Sequence, residues 1–241
     1  MSIAELESRY GLTRLQVNDP QYGERREYEG VLLRPLLEDA GLDSLDELLM
    51  QCSDGYAIAL DTSLLSNPAL VPMIAFRDTR PSKDSHWQLL EHGRETVDFD
   101  PFYVVWGTTN ETRESAEQLP WPFQLTSIRP AGDLSPEAPP KGTDIAIAAG
   151  HETFVKHCLK CHQVQGTGGS LGPVLDREGS MMSFMDDDML GRFIYQVNDF
   201  FPQTKMPSYA SVLESRQIDN LVSYLRWVAA QPALPDQADS R

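Results

Sequence analysis

Two cysteines and two histidines fall within the six positions 157–162 of the stretch FVKHCLKCHQ, Phe154 to Gln163. The chain has one other cysteine, Cys52. Three chemistries use this pattern. A zinc site needs four N, S or O ligands in a tetrahedron. Cys158, Cys161 and His162 supply three, and no second C-x-x-C or H-x-x-H pair follows. A dithiol redox pair calls for a strand–helix–strand context and a lowered thiol pKa. The preceding residues DIAIAAGHETFVKH read instead as a helix running into the motif. The third chemistry is covalent attachment of a c-type haem. Two thioethers at C-x-x-C spacing take both vinyl groups, and that geometry sets the next residue, His162, to ligate iron.

The downstream sequence bears on this choice. A haem iron needs its other axial face filled or left open for a substrate. QTKMPSYASV offers Met206 followed by Pro207, and a Met/His pair raises the reduction potential. Rival thioethers are Met181, Met182, Met185 and Met189 in GSMMSFMDDDMLGRFIYQV. That segment reads as a loop and then a helix opened by Asp186 to Asp188, whose charges suit a helix N-terminus, and Met is common core filler. His157 is a further rival ligand, but its place beside Cys158 on the helix points it to solvent. Between the proposed ligands lies the Gly-rich loop GTGGSLGPVLD. In ESRQIDNLVSYLRWVAAQ the apolar residues Ile218, Leu221, Val222, Leu225 and Val228 recur at helical spacing.

Residues Gly150 to Ala230 resemble a class I cytochrome c domain in the order and spacing of these features. A first helix carries Gly150 and Phe154; C-x-x-C-H, G-P and M-P follow; a last helix carries Tyr224. The resemblance implies an all-α fold and one covalently bound haem c. Cys158 and Cys161 would hold the thioethers, with His162 and Met206 as iron ligands. The Pro173 carbonyl would accept a hydrogen bond from the other imidazole nitrogen of His162, fixing the ring and tuning its basicity. First and last helices would cross, with Gly150 admitting the close approach beside Phe154 and Tyr224.

The 241 residues allow one large or two modest domains, and no run reaches the apolar length of a membrane helix. MSIAELESRYG has neither the basic nor the apolar region of a secretory signal. In bacteria c-type haem is attached outside the cytoplasm, so the expectation is a periplasmic or otherwise extracytoplasmic protein whose signal has been removed, with Met1 not native. Cys52 is then expected as a small buried hydrophobe. The net charge is −16, with −12 carried by residues 1–141 and −4 by residues 142–241. Such a field excludes nucleic acid and anionic membranes as partners and suits a basic redox partner.

RPAGDLSPEAPPKGTD, Arg129 to Asp144, has four prolines and no apolar periodicity, and reads as a semi-rigid linker. The expected organisation is a domain over 1–131, a linker over 132–143 and the cytochrome c domain over 144–241. In the first domain GVLLRPLLEDAG suggests a short helix ending at Gly41. ELLMQCSDGYAIAL suggests two strands around a two-residue Asp54-Gly55 turn. LVPMIAF, PFYVVWG and PFQLTSI suggest three more, with Pro72, Pro101 and Pro122 at ends or edges. This is an α+β, mostly β domain. YEGVLLRPLLEDAGL through LLMQCSDGYAIAL to LPWPFQLTSIRP, Tyr28 to Pro130, resembles a short form of the sulfite-oxidase-type molybdopterin-binding fold. Catalytic members of that family bind molybdenum through a cysteine upstream of the stretch matching YEGVLLRPLL. Here LTRLQVNDPQYGERRE has none, and Cys52 does not match that ligand. The resemblance therefore implies a cofactor-free relative used for docking. The expected whole is an electron carrier rather than a catalyst. The alternatives are a haem-bearing subunit or fusion of a molybdopterin-type oxidoreductase, and a haem-based sensor.

Overall fold

The computed structural model describes residues 1–92, 95–109, 116, 118–131, 136, 138–177 and 179–231. The chain divides into two compact units: Met1–Asp54 with Ile58–Gly132, and Asp133–Arg241 with the short segment Gly55–Ala57. Of the linker, residues 132–135 and 137 lie outside the described residues. Arg129 and Pro130 belong to a strand instead.

The first unit begins with α1 (Ile3–Tyr10), started by a reciprocal cap between Ser2 and Glu5. The strands β1 (Thr13–Asp19), β2 (Glu24–Leu32), β5 (Leu70–Asp78) and β8 (Tyr103–Thr108) form one antiparallel sheet in the order β1-β2-β5-β8. A second sheet has the order β4-β3-β9, from β3 (Glu47–Cys52), β4 (Ala57–Asp61) and β9 (Leu125–Pro130). A small hairpin pairs β6 (Leu90–His92) with β7 (Glu95–Val97). The short helices α2 (Leu33–Asp39) and α3 (Ser63–Ser66) connect strands. The unit is mostly β, as its composition suggests.

Local differences from the sequence reading have physical reasons. α1 lies in the stretch read only for a secretory signal, and β1 with the start of β2 in the stretch read only for its lack of cysteine. Gly30 to Leu32 finish β2 rather than open the helix, and α2 stops at Asp39. Gly41, with φ 67°, follows the cap Ala40. Its N–H reaches Glu38 O at 3.0 Å while Leu42 N–H reaches Leu37 O at 2.9 Å, the two bonds of a Schellman ending. The turn between β3 and β4 takes the four residues Ser53 to Tyr56, not Asp54-Gly55 alone. A two-residue type I′ turn needs positive φ at both central positions, and here only Gly55 has it. Pro72 pairs with Trp106 of β8, at a level of β5 that β2 does not reach, so its missing N–H breaks no bond to β2.

The core of the first unit is aromatic, with Tyr28, Trp87, Phe99 and Tyr103 fully buried. Their ring centroids lie 4.8 to 6.2 Å apart. Against it sits a buried ion pair: Arg26 Nε donates to Asp78 Oδ2 at 3.1 Å, and Nη2 donates to the same oxygen. Cys52 is buried too, and burial pushes its thiol up to about 12.

The second unit is helical. α4 (Ile145–His157) starts where the Asp144 side chain accepts from Ala146 N–H. α5 (Asp187–Tyr195) starts where Asp186 accepts from Met189 N–H, with Asp187 and Asp188 in its first turn. α6 (Ser215–Ala229) buries Ile218, Leu221, Val222, Tyr224, Leu225 and Val228. Each such aliphatic side chain contributes about 1.5–3 kcal/mol relative to exposure. β10 (Gln163–Val164) and β11 (Thr167–Gly168) form a minimal hairpin. Its turn residues Gln165 and Gly166 both have positive φ. α4 and α6 meet at Gly150, where a Cβ would stand 2.0 Å from Asn220 O and 2.7 Å from Tyr224 Cβ.

Two substitutions test this account. Gly150→Ala forces α4 from α6 and should lower the stability of the helical unit by about 1–3 kcal/mol or more in urea melts; an unchanged midpoint would contradict the contact. Asp78→Ala leaves the buried Arg26 with Glu24 alone, 2.7 Å from its Nη1, and should cost the first unit less than the roughly 3–5 kcal/mol of a fully stranded buried charge, but still more than about 1 kcal/mol. Asp78→Leu combined with Arg26→Met should restore much of that loss.

Candidate functional site

The C-x-x-C-H motif lies just past the last turn of α4. Cys158 N–H still bonds Phe154 O at 2.8 Å, and Cys161 and His162 N–H groups return to Cys158 O at 3.0 and 2.9 Å. The chain thus makes one more helix-like turn. Positions i, i+3 and i+4 of such a turn share a face, and Cys158, Cys161 and His162 all border one cavity of about 490 Å³. The size suits a large organic ligand. The lining is otherwise almost wholly apolar, with Phe154, Leu221 and Leu225 from the two crossing helices.

Gly172 and Pro173 fix the His162 ring. Gly172 N–H bonds Cys161 O at 2.7 Å, drawing the loop across the imidazole. A Cβ on Gly172 would lie 2.4 Å from His162 Cε1, so only a glycine lets the backbone pass. The Pro173 carbonyl then lies 2.8 Å from His162 Nδ1. With Nδ1–H donating there, Nε2 keeps its lone pair for another partner. Burial pushes the His162 pKa down, against the smaller opposing effect of the Pro173 bond, so the ring is held neutral.

Met206 borders the same cavity. Its N–H donates to Thr204 Oγ1 at 3.1 Å. Two residues on, Ser208 Oγ donates to Tyr195 O at 3.0 Å. Tyr209 Oη donates to His157 O at 2.9 Å, tying the Met206 loop to the end of α4. Met182 and Met185 border the cavity as well, while Met189 stands half-exposed on α5 away from it. The Met181 side chain lies outside what is described. His157 departs from the solvent-facing expectation: it is half-buried, its ring edge-on to Tyr209 at 6.2 Å, because the Met206 loop folds over it. It does not border the cavity.

The rival chemistries fit poorly. Among the described residues no three His, Cys, Asp or Glu side chains converge to hold a metal ion, so a tetrahedral zinc site lacks its ligands. Burial pushes the Cys158 thiol up to about 12, the reverse of an activated redox thiol. The donor set, two thiols with an imidazole and a thioether around an apolar cavity, could hold a c-type haem.

Residues 145–225 match the family model described as cytochrome C oxidase, cbb3-type, subunit III. These residues form a cytochrome c domain. Its cofactor class is haem c and its function is haem-based electron transfer, which calls for redox partner proteins. The match spans about a third of the chain and leaves the first unit outside it. No curated protein matches the chain. Among the described residues no helix is long and apolar enough to cross a membrane.

Sequence reasoning singled out the motif, Met206 and the Pro173 carbonyl. It passed over Thr204 and Tyr209, whose side chains hold the cavity walls by bonding backbone groups and leave no spacing signature.

Gly172→Ala tests the cradle. The added methyl should push His162 off the Pro173 carbonyl, shift the imidazole resonances in NMR spectra and cost about 1–3 kcal/mol of stability. Unchanged resonances would show that the ring has room.

Proposed function

We propose that the cytochrome c domain, taken as residues 144–241, would carry one haem c, held through thioethers from Cys158 and Cys161, with His162 and Met206 as the residues that would ligate its iron. Bound there, haem supplies reversible one-electron exchange at iron. The chain's residues supply the setting. Pro173 holds the His162 ring so that Nε2 is presented as a neutral donor. Thr204 and Tyr209 pin the loop that carries Met206. The apolar lining keeps water from the iron, which with a thioether ligand favours the reduced state. The observation that carries the reading is the His162–Pro173 bond at 2.8 Å beside a cavity that Met206 also borders.

We further propose that the chain is an electron carrier outside the cytoplasm and that residues 1–131 form a cofactor-free, sulfite-oxidase-like domain that docks a basic redox partner. The acidic balance of residues 1–141 supports the docking role. The absence of a cysteine at the place of the family's molybdenum ligand supports a domain without the pterin.

Two measurements test this. Met206→Ala should abolish the weak sulfur–iron charge-transfer band at the red end of the ferric spectrum and lower the potential, whereas Met185→Ala should leave both nearly intact. The reverse pattern would move the thioether ligand to the Met182–Met185 turn. Electron exchange with a basic partner protein should slow as the screening length contracts from about 30 Å in dilute buffer to about 8 Å at physiological ionic strength. A rate indifferent to salt would rule out charge-steered docking.

A further inference from the structure

The cavity wall formed by Met182 and Met185 is held from a distance. Both residues lie on or just after a 3₁₀ turn, Met181–Phe184, whose N-terminus has no side-chain cap. Met182 is buried and Met185 half-buried, while Phe184 between them is 80 % exposed. Both methionines pack into the core of the helical unit, but a short 3₁₀ turn has few internal bonds to fix its backbone. Its backbone carbonyls are held by one side chain from the last turn of α6. Arg226 Nη1 donates to Met182 O at 2.6 Å, Nη2 donates to Met185 O, and Nε donates to Asp187 Oδ1 at 2.8 Å. The guanidinium fork reaches all three with one planar group, which a lysine ammonium cannot reproduce. Asp187 lies in the first turn of α5, so Arg226 joins the last helix, the methionine turn and the middle helix at one point.

We propose that Arg226 is a positioning residue for the cavity: by clamping the Met182–Met185 turn it keeps that wall shut against external ligands and keeps Met185 from competing with Met206. The inference rests on the His162/Met206 reading above. The clamp itself is a property of this chain's own bonds. A methionine wall free to swing out would open the cavity to solvent, and one free to swing in would bring a second thioether toward the iron.

The test uses the full-length, haem-loaded protein and its Arg226→Gln and Arg226→Lys variants, with imidazole as the external ligand and voltammetry alongside. Loss of a charge-assisted hydrogen bond from the closed state should raise imidazole affinity of the ferric protein roughly tenfold in Arg226→Gln. Its reduction potential should fall as the cavity becomes wetter. Arg226→Lys should lie between, about threefold, keeping the charge but not the fork. Amide exchange at residues 182–185, measured on haem-free protein, should speed up roughly tenfold in Arg226→Gln. A folded Arg226→Gln with parental imidazole affinity and potential overturns the proposal. Should that variant not fold, parental values in Arg226→Lys overturn it equally. If the parent holds no haem with His/Met ligation, the underlying reading fails instead, and parental amide exchange in Arg226→Gln would then overturn the clamp by itself.

Discussion

A single hydrogen atom at position 150 sets the spacing on which the helical unit depends. The α4 and α6 backbones approach so closely that a methyl group there would overlap the Asn220 carbonyl. That approach buries Phe154 and Tyr224 with rings 5.5 Å apart and directs the end of α4, with its cysteines, at the space beside Leu221 and Leu225. Were α4 displaced, the helix-like turn after it would carry Cys158, Cys161 and His162 away from the wall that Met206 occupies. The cavity is therefore a consequence of helix packing first and of the motif second.

From this crossing the site is assembled by hydrogen bonds that each engage a backbone group. The Gly172 N–H to Cys161 O bond brings a loop across His162, and the next carbonyl, Pro173, orients the ring. The Met206 loop is fixed by Thr204, Ser208 and Tyr209, the last reaching back to α4. Such a network also serves the fold, because each bond satisfies a loop amide or carbonyl that needs a partner in any case. It also explains why three elements with little regular structure can hold a fixed cavity. The first unit solves a different problem. It buries a charge, Arg26, beside a cluster of aromatic rings and compensates it with two carboxylates, the buried Asp78 and the half-exposed Glu24.

What was legible in the sequence follows from how each feature is encoded. The helices of the second unit show period and caps: Asp144 and Asp186 at the N-termini, and the 218, 221, 222, 225, 228 stripe on α6. The C-x-x-C-H motif is local and was readable at once. The cavity's third dimension was not, since Tyr209 and Arg226 act through backbone carbonyls far away in sequence. In the first unit the start of β2 was missed because Glu24–Glu29 is almost wholly charged, with Arg14 and Arg77 pairing with Glu29 across the sheet face; β1, with two apolar residues in seven, was too short a signal. Both strands alternate in burial nonetheless, with Leu15 and Val17 of β1 and Arg26, Tyr28 and Gly30 of β2 on the covered face. His157 stays out of the cavity as read, but is half-covered by a loop that helix geometry alone cannot foresee.

The central claim is that Cys158 and Cys161 hold one haem covalently. Mass spectrometry of the intact, fully denatured protein decides it most directly. The account predicts a single species heavier than the polypeptide by one haem, with the added mass retained on the peptide spanning Cys158 to His162. A denatured chain at the bare polypeptide mass, with any pigment released into acidified acetone, would contradict it.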